Sequence, residues 1–152
     1  MKKNKIGSYL NRNIEIIQLD NYGDLNELNV KNSVLLLYFG SEIEISLNEI
    51  DDIIGKIVNL EPLLISISGK KNDIIFDVLL KILSKNRSSH NIMTAKYRDE
   101  SIDEIVDAFF YSAWPSEEDF DDWTKYSIFL WGNDSDFENF RISIKKHFKS
   151  FR

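Results

Sequence analysis

Three apolar runs in this chain each close on a glycine: SVLLLYFG at 33–40, PLLISISG at 62–69 and YSIFLWG at 126–132. Near-continuous apolar runs of this length suit strands buried on both faces, as in a parallel sheet covered by helices on either side. Two more mixed stretches, IEIIQLD at 14–20 and NIMTAKY at 91–97, suit the edges of the same sheet. Only a loop separates the run at 14–20 from that at 33–40, so this first strand is the one free to pair antiparallel.

Helix signals fall between the runs. SLNE places Ser46 at an N-cap with Glu49 three residues on, a capping box in which each side chain satisfies a free backbone N–H. Leu47, Ile50, Ile53, Ile54, Ile57 and Val58 follow at helical spacing. SIDE repeats the pattern with Ser101 and Glu104, and SDFE with Ser135 and Glu138. A further helix over 72–85 carries Ile74, Ile75, Val78, Leu79, Ile82 and Leu83, and a short turn covers 116–124 with Ser116 as cap. The order β–β–α–β–α–β–α–(α)–β–α predicts a three-layer α/β sandwich: about five strands, mostly parallel, with helices on both faces. With no repeat, no low-complexity segment, no linker and only Pro62 and Pro115 as breaks, residues 1–152 read as a single domain. Its core should hold Leu35, Leu37, Leu64, Ile65, Ile67, Ile128 and Leu130.

Composition narrows the function classes. No cysteine means no disulfide, thiol nucleophile or thiolate metal site. No apolar run reaches the roughly 18–20 residues that span a bilayer, and no apolar stretch follows the basic start MKKNKIGSYLNRN. A cytoplasmic protein without a membrane partner is expected. The net charge of −6 is unevenly spread. Ten acidic residues and no Lys or Arg lie between Asp99 and Asp122, so the rest of the chain sums to +4. Residues 141–152 hold Arg141, Lys145, Lys146, Lys149 and Arg152 and no acid. Such runs serve as solvated helix faces, or the acidic one attracts a basic partner. Overall acidity argues against nucleic acid, which needs clustered positive charge.

Signatures of chemistry are sparse. Gly40, Gly69 and Gly132 occupy the carboxyl ends of three strands, where an open parallel sheet takes its ligands. Lys70 and Lys71 follow Gly69 directly before a helix, so this edge is the candidate site for an anionic small molecule. The alternative is a tight strand-to-helix turn with solvated lysines, because SGKKND lacks the glycines and the Lys-Ser/Thr pair of a phosphate loop. His90 and His147 belong to no metal-ligand spacing, His147 reading as a solvated residue of a basic helix. No hydroxyl-nucleophile motif occurs. No cofactor, metal or catalytic residue is expected.

Aromatics are the remaining signal. Trp114, Phe120, Trp123, Tyr126, Phe129 and Trp131 fall within eighteen residues. Most belong in the core by their apolar area. Trp114 stands apart, between a helix end and Pro115, beside Glu117, Glu118, Asp119, Asp121 and Asp122. It is either a lid on the core or an interface anchor rimmed by acids.

The stretch IMTAKYRDESIDEIVDAFFYSAWPS at 92–116 resembles a family of short uncharacterised bacterial proteins. Its members carry a Met-Thr-Thr-x-His step, then Asp-Glu-x-x-x-Glu and an aromatic-rich helix. Met93, Thr94, Asp99, Glu100 and Glu104 match, whereas Ala95 and Tyr97 depart from the second Thr and the His. The resemblance implies no activity. Three functions are compatible with the residues. The leading one is a small acidic protein that binds a basic protein, as an immunity protein neutralising a toxin such as a nuclease would. There Glu117, Glu118, Asp119, Asp121 and Asp122 steer and Trp114 anchors. The others are an anion-binding domain or enzyme at Gly40, Gly69, Lys70, Lys71 and Gly132, and a self-associating protein that pairs acidic 99–122 with basic 141–152.

Overall fold

The computed structural model describes residues 2–19, 22–40, 43–85, 91–98 and 101–150. His90, Asp99, Glu100, Phe151 and Arg152 lie outside them. Six strands form one sheet: β1 (Lys2–Tyr9), β2 (Arg12–Gln18), β3 (Ser33–Phe39), β4 (Leu64–Gly69), β5 (Met93–Lys96) and β6 (Lys125–Trp131). They lie in the order β1-β2-β6-β3-β4-β5. β1 pairs antiparallel with β2, and every other neighbour is parallel. The helices are α1 (Leu47–Asn59), α2 (Asn72–Lys85), α3 (Ile102–Ser112) and α4 (Asp134–Ser150), with short 3-10 turns at Tyr22–Glu27 and Glu117–Asp122. This is the expected three-layer α/β sandwich.

Strand alternation divides the core. Ile17, Leu35, Leu37, Ile65, Ile67, Phe129 and Trp131 pack with Ile50, Ile53, Ile54 and Ile57 of α1 and with Ile75 and Leu79 of α2. On the other face Ile14, Ile16, Val34, Leu36, Leu64, Ile128 and Leu130 meet Ile105, Val106, Phe109 and Phe110 of α3 and Phe137, Phe140 and Ile144 of α4. All seven residues expected in the core are buried. Each such side chain contributes about 1.5–3 kcal/mol of transfer free energy.

Two strand assignments change. The antiparallel member is β1, in the lysine-rich stretch 2–9, and not the run at 14–20. β2 consequently lies inside the sheet, parallel to β6. β1 escapes a hydrophobic pattern because it is an edge strand: Lys2, Lys3 and Lys5 are exposed, and Ile6 and Tyr9 are only half-buried against the core. Lysines and a register break between Lys5 and Gly7 are common guards of a free edge.

The caps at Ser46 and Ser101 are as expected. Their Oγ atoms accept from the backbone N–H of Glu49 at 3.2 Å and of Glu104 at 3.3 Å. The start of α4 is two residues earlier than SDFE implied. Asn133 Oδ1 accepts from the Asp136 N–H at 2.8 Å, and Asp136 Oδ2 accepts from the Asn133 N–H at 3.3 Å. This is a complete reciprocal box on Asn133, and Glu138 instead pairs with Arg141.

Candidate protein interface at the amino edge of the sheet

The acidic 3-10 turn leads into β6 at the amino ends of the parallel strands. Asp103 lies 3.8 Å from Lys146, and Asp107 Oδ1 lies 2.9 Å from His147 Nδ1, two contacts that link α3 to α4. Glu117, Glu118, Asp119, Asp121 and Asp122 form no ion pair with the described residues. Ser116 caps no backbone N–H; its hydroxyl donates to Asp119 Oδ2 at 3.0 Å.

Beside these acids lies an exposed aromatic surface. Tyr111 is 79% exposed, Trp114 49% and Phe120 37%, whereas Trp123 below them is buried. The Trp114 indole N–H donates to the Tyr111 carbonyl at 3.3 Å, which holds the ring at the end of α3. Its ring centre lies 5.7 Å from Phe120 and 6.4 Å from Trp123. Phe120 meets Trp123 edge-on at 5.7 Å. Trp123 in turn abuts Tyr126 at 5.1 Å, joining the cluster to the core.

Arg12 braces this cluster from the adjacent strand. Its guanidinium carbon sits 3.8 Å from the Trp123 ring centre and 5.1 Å from that of Phe120. Its Nε donates to the Trp123 carbonyl at 3.0 Å and its Nη1 to the Leu10 carbonyl at 3.1 Å. Leu10 and Asn11 form the two-residue β1–β2 connection with φ of 51° and 65°, the left-handed pair a tight hairpin demands. A leucine is costly there, and it is exposed. Arg12 and Leu10 were missed in the sequence because β1 was.

The carboxyl edge is built differently. Gly40 and Gly132 end the adjacent strands β3 and β6, at the crevice where chain order reverses. A Cβ on Gly132 would lie 2.5 Å from Asp136 Oδ2, and one on Gly40 2.7 Å from the same atom. The crevice is filled by the carboxylate that caps α4. Gly69 has φ +102°, and a Cβ there would meet the Phe39 carbonyl at 2.2 Å. The Asp136 side chain accounts for Gly40 and Gly132, and close backbone packing with a positive φ accounts for Gly69. Lys70 and Lys71 are exposed beside a narrow apolar cleft lined by Phe39, Ile43, Ile45 and Ile50, with the Lys71 ammonium 3.5 Å from the Ile45 carbonyl.

His147 is buried rather than solvated, against Tyr9, Phe110 and Phe148. It was misread because α4 places Lys145 and Lys146 outward but turns residue 147 toward α3. Glu15 is also buried, 3.5 Å from Lys125 and 3.8 Å from Lys3, and accepts from the Ser127 hydroxyl at 3.4 Å. Among the described residues, no group of three or more His, Cys, Asp or Glu could hold a metal ion. No described helix is long and apolar enough to cross a membrane.

No protein-family model, curated protein or solved structure matches the chain significantly. Function is therefore argued from geometry alone.

Proposed function

We propose that this chain is a small cytoplasmic binding protein whose amino-edge surface docks a basic protein, most concretely an immunity protein that neutralises a toxin such as a nuclease. One observation carries the reading: five carboxylates that form no ion pair with the described residues lie beside a half-exposed tryptophan held by a backbone hydrogen bond. Free carboxylates speed the encounter with a basic surface. A desolvated tryptophan slows dissociation. A nuclease surface built to attract phosphate would accept clustered carboxylates in its place.

The alternatives have less support. An anion at Gly40 and Gly132 meets the Asp136 carboxylate, and Asp103 of α3 already lies against Lys146 of α4. The test is binding kinetics against a toxin domain encoded beside this gene. Charge reversal across residues 117–122 should slow association by about tenfold or more and flatten its salt dependence. Trp114→Ala should speed dissociation by roughly 30-fold, as expected of an anchor worth about 2 kcal/mol. Unchanged kinetics in both variants, with the fold intact, would place the interface elsewhere.

A further inference from the structure

The way Arg12 is held suggests what the outer aromatic surface accepts. A guanidinium already lies over Trp123 and near Phe120, bonded to a backbone carbonyl. Trp114 and Phe120 continue the same cluster outward, with ring centres 5.7 Å apart and both rings part-exposed. Aromatic faces are electron-rich and attract cations, more so when the cation is partly desolvated. Around them stand Glu117, Glu118, Asp121 and Asp122, which no Lys or Arg of the described residues neutralises. An aromatic patch meant only for apolar contact has no use for that rim, and a carboxylate cluster meant only for long-range steering has no use for a fixed indole. Together they match one chemistry: a flat or compact cation that stacks on a ring and pairs with a carboxylate.

We infer that the protein partner inserts an arginine or lysine side chain onto the outer surface of Trp114 and Phe120, where the carboxylates of the 117–122 turn pair with it. This rests on the docking reading above and adds the chemistry of the contact. Arginine is preferred over lysine, because its guanidinium can lie over a ring while its N–H groups still donate to an acceptor, as Arg12 does at Trp123.

Short arginine-rich and lysine-rich peptides of equal charge provide the test, followed by the indole N–H resonances of the full chain. The Trp114 signal is identified by its loss in Trp114→Phe. The arginine peptide should shift that signal and bind more tightly than the lysine peptide. Trp114→Ala should weaken it by roughly tenfold, the equivalent of about 1.4 kcal/mol, and Trp114→Phe by no more than about threefold, because a ring face remains. Neutralising Glu117, Glu118, Asp121 and Asp122 as amides should reduce the salt dependence of what binding is left. Folding of each variant is checked by its melting curve. Peptide binding that needs the carboxylates but is indifferent to Trp114→Ala would overturn the inference and leave the docking reading standing. So would failure of both peptides to shift the Trp114 signal while a toxin domain still loses affinity in Trp114→Ala. Insensitivity of both peptides and toxin to every variant would overturn both.

Discussion

Single atoms govern the carboxyl edge of the sheet. Asp136 caps α4 through Oδ2, and the same oxygen occupies the space a side chain would need at Gly40 or Gly132. Gly132→Ala should therefore cost about 1–3 kcal/mol through overpacking. In an Asp136→Ala background the same change should cost less, with a coupling of about 1 kcal/mol in urea denaturation. Equal costs in the two backgrounds would mean that the glycine is required for some reason other than this carboxylate. The glycines themselves were plain in the sequence as strand-end punctuation. That a helix-capping carboxylate, and not a ligand, explains two of them depends on β6 lying beside β3, which no local pattern states.

Among the elements, α1 and α3 were legible because capping residues and apolar spacing agree within each of them, and α2 through its apolar spacing alone. For α4 two capping patterns overlap, Asn133 with Asp136 and Ser135 with Glu138. The chain uses the earlier, which lets Phe137 bury on the α3 side while Asp136 reaches the strand ends. Asn133→Ala should destabilise by about 1 kcal/mol, as loss of a cap does. Ser135→Ala, an exposed residue inside the first turn, should stay within about 0.5 kcal/mol. The reverse ranking in thermal or urea unfolding would move the helix start back to Ser135. β1 was invisible for a different reason. An edge strand with one half-packed face carries little apolar periodicity, and its lysines read equally well as a basic tail.

Across the whole molecule, burial of aromatic hydroxyls links stability to alkaline pH. Burial pushes the Tyr126 phenol well above its usual value, with the Arg12 charge pulling weakly the other way, and burial likewise raises Tyr97. The folded chain then keeps these protons while the unfolded chain releases them. The stability they contribute is fully present below about pH 10 and is lost as pH rises further, by up to about 1.4 kcal/mol per pH unit for each tyrosine. Urea midpoints should fall above about pH 10, and the share of tyrosinate absorbance that Tyr126→Phe removes should appear together with unfolding. The buried Tyr126 hydroxyl has no hydrogen-bond partner among the described residues, so Tyr126→Phe should be close to neutral at pH 7 and flatten the alkaline limb. A tyrosinate signal that Tyr126→Phe removes, arising near pH 10 while the chain is still folded, would contradict this.

Local sequence determined the layer architecture, the buried faces of three central strands and most helix boundaries, because alternation, helical spacing and capping chemistry act within a few residues. It also marked Trp114 and the acids after it as the unusual surface feature. Strand order was beyond it: β6 comes last yet inserts between β2 and β3. That one placement brings Asp136 against two glycines and sets Arg12 against the Trp123 ring, while Asp103 of α3 meets Lys146 and the acids at 117–122 meet no Lys or Arg among the described residues. Which charges are cancelled and which face outward is a relation between segments far apart in the chain, and only tertiary packing decides it.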